Sequence, residues 1–143
     1  MLFRSAKPVC DLNTLQAVIT HRYDVLTNFM RSAKNIYAEE FAKLKTHAPQ
    51  LHQGNTLKTV KHWLHLDAKD LKEQDKAKLN EVLKTSKVLA TMYSMRQELS
   101  AIWERSTASK EQLLKQLQDW CHRAEASGIL ALQEFSRRLR CYA

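Results

Sequence analysis

The sequence predicts an all-α protein: a long N-terminal helix packed on an antiparallel bundle of four to five shorter helices. Three observations predict it. The 143 residues include only two glycines and two prolines, the residues on which tight turns and β-connections draw most heavily. Apolar residues recur every three or four positions over long stretches, and no stretch reads convincingly as a strand. An apolar share of 44% beside 27% charged residues is ordinary for a globular chain of one-domain size.

The chain opens on "MLFRSAKPVC", which reads as an irregular leader over 1–10, since Pro8 disfavours helix at Lys7. Residues 11–143 then read as one helical domain. Asp11 is a suitable N-cap. Behind it Leu12, Leu15, Ile19, Leu26, Phe29, Ala33, Ile36, Phe41 and Leu44 share one face of a helix over about 11–45. Such a rod exceeds the usual length of roughly 8–20 residues and needs a partner along its length. "THAPQLHQGN" carries Pro49 and Gly54 and predicts a loop over about 46–55.

The bundle follows over about 56–142. "TLKTVKHWLHL" predicts a short helix with Leu57, Val60, Trp63 or Leu64 inward. In the next helix Leu79, Val82 and Leu83 form a narrow apolar face, with Leu71 packing as a staple ahead of it. Ser86 caps a helix whose seam is Val88, Met92, Met95, Leu99 and Ile102, with Leu89, Arg96 and Trp103 on its flank. Ser109 and Gln112 fit a capping box. Leu113, Leu117, Trp120, Cys121 and Ala124 form the face behind them, and Gly128 suits the left-handed stop. The last helix, 129–142, carries Leu132, Phe135, Leu139 and Tyr142 on one side. Trp63, Trp103, Trp120, Phe29, Phe41 and Phe135 are the expected core anchors.

Little in the chain points to catalysis. His62 and His65 sit three apart, but zinc needs about four ligands and no Cys-x-x-Cys pair supplies the rest. "HAPQLH" straddles a proline loop, and six histidines in total cannot furnish a di-iron histidine-box site. Glu39 with Glu40, and Asp67 with Asp70, read as exposed helix positions or caps. Cys121 and His122 are adjacent on a helix and point apart, so Cys121 reads as buried structural cysteine. Cys10, Cys121 and Cys141 lack disulfide or metal spacing and read as reduced thiols of a cytoplasmic protein. No catalytic residue, cofactor, metal site or small-molecule substrate is expected.

The net charge of +8 favours acidic partners. Most basic residues alternate with acids, as on solvated helix faces. The densest run is "SRRLRCYA", where Arg137, Arg138 and Arg140 would present one cationic strip to phosphate or lipid head groups. The dipole of a helix C-terminus also favours cations there.

The stretch "LKEQDKAKLNEVLKTSKVLATMYSMRQELSAIWERSTASKEQLLKQLQDWCHRAEASGILALQEFSRRL" resembles a helical segment of bacterial insertion-sequence transposases of the DDE type. The shared pattern is "L..MRQEL..IWE" followed by "W...AE.SGI..L..F...L". The same module is similar to the soluble C-terminal extension of some bacterial membrane fatty-acid desaturases. "KPVCDLNTLQAVITHRYDVLTNF" looks like the stretch after the desaturase's catalytic membrane part, and "FSRRLRCYA" like its end. Neither family's active residues carry over, since histidine boxes and strands to hold an acidic triad are both missing.

The first expectation is therefore a non-catalytic accessory domain resembling a desaturase tail. It would act through helix–helix contact with the membrane enzyme or a second copy, in the cytoplasm or peripherally at the anionic inner membrane. The alternative is a truncated transposase-derived helical domain whose basic faces meet DNA.

Overall fold

Short side-chain signals set where the helices begin. The computed structural model describes residues 10–48, 56–105 and 107–142. Among them lie seven α-helices and no strand: α1 (Leu12–Thr20), α2 (Arg22–His47), α3 (Thr56–Trp63), α4 (Glu73–Thr85), α5 (Lys87–Glu104), α6 (Lys110–Ala126) and α7 (Leu130–Arg140). A 3₁₀ turn, Ala68–Asp70, links α3 to α4. Asp11 caps α1 by accepting the Thr14 N–H at 3.0 Å. Ser86 caps α5 through the Leu89 N–H at 3.2 Å. Ser109 and Gln112 close a reciprocal capping box on α6, at 3.0 and 3.1 Å. These are the caps that the residue types predict.

The single long helix expected over about 11–45 is two helices. His21 interrupts it at φ −113°, ψ 44°. An unbroken helix would offer the Val18 carbonyl to the Arg22 N–H. Here the Trp103 indole N–H donates to that carbonyl at 3.2 Å. The break lets α1 pack on α6 and α7 while α2 packs on α5 and α7. Both helices thereby bury an apolar face without a second chain.

The second helix runs to His47, with Ala48 as its C-cap. Most of the expected loop, 49–55, lies outside the described residues, as does the expected leader apart from Cys10. That cysteine is fully buried, and its carbonyl accepts Gln118 Nε2 at 2.9 Å.

Gly128 takes the left-handed conformation, φ +77°, and turns the chain so that α7 returns along α6. The pairing runs antiparallel: Gln133 Nε2 donates to the Glu125 carbonyl at 3.1 Å, and Ser136 Oγ to that of Cys121 at 3.2 Å. Against this pair lies the aromatic centre of the core. Phe135 meets Phe29 edge-on at 5.2 Å and Trp120 edge-on at 5.7 Å. Such pairs add about 0.5–1.5 kcal/mol beyond their buried area. The Trp120 indole N–H is satisfied by the Met95 carbonyl at 2.7 Å, so burial of its one polar atom costs little.

Of the expected anchors, Trp63, Trp120, Phe29, Phe41 and Phe135 are buried, and Trp103 is partly buried against the core. Leu57, Val60, Trp63 and Leu64 all face inward. The seam of α5 is wider than its spacing suggests. Leu89 and Arg96, expected on the flank, are buried, because α2, α4 and α6 all pack on this helix. Among the described residues no helix is long and apolar enough to cross a membrane.

Two substitutions separate packing from backbone conformation. Trp120→Ala should lower the unfolding free energy by about 3–5 kcal/mol. Gly128→Ala should cost about 1–2 kcal/mol, the price of an alanine in the left-handed region, since an added Cβ meets no atom within 4 Å. Urea denaturation followed by far-UV circular dichroism measures both.

Candidate functional site

The described surface has two features that composition alone does not explain: a cleft beside the start of α2, and a set of cations without carboxylate partners. The cleft is built on Asp67, at the end of the α3 segment. Its Oδ1 accepts Arg96 Nη1 and Ser100 Oγ, each at 2.8 Å. Its Oδ2 lies 3.6 Å from Arg22 Nη2. One carboxylate thus joins the turn before α4 to both α2 and α5. Gln97 fixes the same turn from both sides, accepting the Ala68 N–H at 2.9 Å and donating to the Leu66 carbonyl at 3.0 Å.

Arg22 is held further by the face of Trp103, 5.7 Å from the ring centre, and by Glu104 at 3.4 Å. Glu104 also accepts Lys69 Nζ at 2.9 Å. These fixed groups leave a cleft of about 420 Å³ between α2, α5 and the end of the α3 segment. Leu26, Phe29 and Met30 supply its apolar lining, and Arg22, Arg96 and His65 its cationic or polar walls. Tyr23 and Thr27 also line it, and among the described residues no Asp or Glu does. Tyr23 is 87% exposed and Met30 41%.

The ionisable groups reflect this setting. Burial pushes the Asp67 carboxyl up, but hydrogen bonds from Arg96 and Ser100 and the charges of Arg96 and Arg22 outweigh it, leaving the group below its ordinary value. Burial, then the charges of Arg96, His62 and Lys61, lower His65, which therefore stays neutral more readily than a free imidazole. Burial raises the Tyr37 hydroxyl. The Tyr37 ring packs on His65 at 5.4 Å, and its hydroxyl is the one buried side-chain polar atom among the described residues without a hydrogen-bond partner.

The sequence-predicted residues are distributed differently. Arg137 and Arg138 are exposed on α7. Arg138 reaches Ser32 Oγ at 3.4 Å and lies 4.0 Å from Glu134. Arg140 does not share their face. Its side chain is 10% exposed and lies against Glu125, with Nε–Oε2 at 2.6 Å and Nη2–Oε1 at 3.3 Å. Of the three expected arginines, only Arg137 and Arg138 are exposed.

His62 is exposed and His65 half-buried. Glu39 is exposed, whereas Glu40 is buried and accepts Ser86 Oγ and Lys43 Nζ, each at 2.9 Å. Asp67 occupies the N-cap position of the 3₁₀ turn without a side-chain cap bond, and its carboxylate is instead an ion-pair centre, because the chain between α3 and α4 folds across α5. Cys121 is buried and His122 exposed. A hydrogen bond with the Cys121 thiol, and then burial, raise the Cys10 thiol.

Other cations have no carboxylate within 4 Å among the described residues. Arg31 and Lys34 are the pair nearest the cleft in sequence, both exposed on α2. Tyr23, Thr27, Met30 and Lys34 follow at intervals of four, three and four, which places them on one stripe of that helix.

Comparison with known proteins bears on what such a surface meets. A sequence profile described as transposase, of the DDE group and the ISL3 type, matches residues 12–143. The chain belongs to this transposase family. Among curated proteins, the transposase for insertion sequence element IS1001 of Bordetella parapertussis is 33% identical over 101 residues, covering 66% of this chain and 24% of that protein. The chain thus spans about a quarter of the length of this relative. No solved structure matches. These relationships bear out the transposase resemblance of the second half of the sequence and extend it to α1 and α2. They lend nothing to the desaturase resemblance. Among the described residues no group of three or more His, Cys, Asp or Glu converges as a metal site would require, so no acidic triad is assigned there.

Asp67 generates a prediction. Asp67→Ala leaves Arg96 largely buried without its partner and should cost about 3–5 kcal/mol, and adding Arg96→Met should recover most of it. Acid should act in two stages. As pH falls through the ordinary imidazole value of 6.5, the unfolded chain protonates at His65 before the folded one does, and stability begins to fall. The Asp67 contribution is present above the ordinary carboxylate value of 3.8 and is lost as pH falls through the lower folded value. Urea midpoints from pH 8 to pH 3, for the parent and for His65→Phe, separate the stages: the variant should lack the first.

Proposed function

We propose that this chain is a helical DNA-contacting module of a transposase, placing DNA for chemistry done by carboxylates elsewhere in a longer protein or assembly. The family match over residues 12–143 carries this reading. The charge distribution supports it. Two acids are held largely inside the fold, Asp67 on Arg96 and Glu125 on Arg140, while Glu98 with Arg123 and Glu104 with Lys69 pair at the surface. Exposed cations such as Arg31, Lys34, Arg137 and Arg138 contribute to the net charge of +8. Phosphate contact needs only cations presented at a surface; it does not need a catalytic pocket.

The desaturase-tail reading has no comparable support. An anionic membrane would draw on the same charges, and the experiment includes it as a rival. Fluorescence anisotropy of a labelled duplex, titrated with salt, is the decisive measurement. Affinity should fall linearly on a log–log plot, with a slope of about −0.9 for each phosphate engaged. Arg31→Gln with Lys34→Gln, and separately Arg137→Gln with Arg138→Gln, should each make that slope shallower by about 2 where the pair meets the duplex. Absence of duplex binding at low salt, alongside binding to anionic liposomes, would overturn the proposal.

A further inference from the structure

The cleft beside α2 has properties that contact with a duplex backbone does not use. Large apolar side chains that remain exposed are few among the described residues: Leu12, Tyr23, Met30 and Leu130. Two of the four, Tyr23 and Met30, line this one cleft. Its volume of about 420 Å³ falls in the range of sites that hold small organic groups, roughly 300–1,000 Å³. A phosphate chain running over a helix surface needs neither an apolar recess nor an aromatic face.

We propose that the cleft formed by Tyr23, Met30, Arg22, His65 and Arg96 takes a nucleotide of single-stranded DNA, with its base against Tyr23 and its phosphate toward the arginines. This inference rests on the DNA-contacting reading and names the form of DNA that one surface prefers.

Charge complementarity selects a nucleotide over an apolar protein segment. Among the described residues no carboxylate lines the cleft. Asp67 has both oxygens turned to Arg96, Ser100 and Arg22, and Glu104 lies on Arg22 and Lys69, so Arg22, Arg96 and Lys69 together outnumber the two carboxylates that hold them. That pairing fixes the guanidinium groups in advance, so little side-chain freedom is lost when an anion arrives.

Geometry selects an unpaired base over a duplex. Bases within a duplex are stacked on their neighbours and offer only their edges in the grooves. An exposed aromatic ring gains its stacking energy from a base whose face is free. The apolar wall at Leu26 and Met30 suits that face. His65, held toward its neutral form by burial and by neighbouring cations, can either donate or accept at a base edge.

The test uses the full chain and two probes of one sequence, a labelled twelve-nucleotide single strand and its duplex, followed by anisotropy at matched salt. The single strand should bind more tightly than the duplex. Tyr23→Ala should weaken the single strand by about tenfold to a hundredfold, the range that stacking on an aromatic supplies, and leave the duplex unchanged. Tyr23→Phe should keep the single-strand affinity, which separates stacking from hydroxyl chemistry. Met30→Glu, which places a carboxylate at the rim, should also lower it selectively. Tyr23 is so exposed that none of its variants threatens folding. A 2-aminopurine placed in the strand should lose fluorescence on binding to the parent and keep it with Tyr23→Ala.

Equal loss of both probes with Tyr23→Ala overturns the inference, as does a single strand indifferent to it; DNA contact by the module then stands. Failure of both probes to bind the parent chain removes the underlying reading as well.

Discussion

One carboxylate, Asp67, holds the turn before α4 in register with α2 and α5. It receives Arg96 and Ser100 from α5 and faces Arg22 at the start of α2. A mostly buried ion pair of this kind is seldom a large net source of stability, because desolvation offsets much of the Coulomb attraction. Its consequence is arrangement. The segment after α3 would otherwise be free to lie in several ways across α5. With Asp67 and Gln97 engaged it has one, and that one places His65 opposite α2.

The second constraint is apolar, and it acts on α2 through Phe29, which also lines the cleft. Phe29 of α2 packs on Phe135 of α7, and Phe135 on Trp120 of α6. These rings, together with the Trp120–Met95 hydrogen bond, link four helices through contacts that depend on shape and edge-to-face geometry. The long second helix is therefore held by a greasy joint and a polar one. Its outer stripe, bearing Tyr23, Thr27, Met30 and Lys34, is presented by a support fixed at both joints, which is what a recognition surface needs.

The charge pattern divides in the same way. Two acids, Asp67 and Glu125, are drawn inward to pair with Arg96 and Arg140, and most other cations face solvent. A family relationship to transposases motivates the proposed use of that excess, and the cleft beside Tyr23 gives the surface a local shape. Arg140 shows why the distinction matters. It lies in the densest basic run of the chain, yet its guanidinium is committed to Glu125 beside the buried Cys10 and Cys121.

Local chemistry was legible in the sequence. The caps at Asp11, Ser86 and Ser109, the stop at Gly128 and the apolar faces of α3, α6 and α7 each depend on neighbours within a few positions, and spacing reports such neighbours faithfully. Those signals determined an all-helical chain and most of its core. The break at His21 depends on a carbonyl captured by Trp103 from more than eighty positions away. The burial of Arg96, the pairing of Asp67 and the separation of Arg140 from Arg137 and Arg138 likewise depend on which helices meet. Periodicity marks the face of a rod that is buried, but it does not name what lies against that face. Only the tertiary structure decided which charges are consumed inside the protein and which remain to meet a partner.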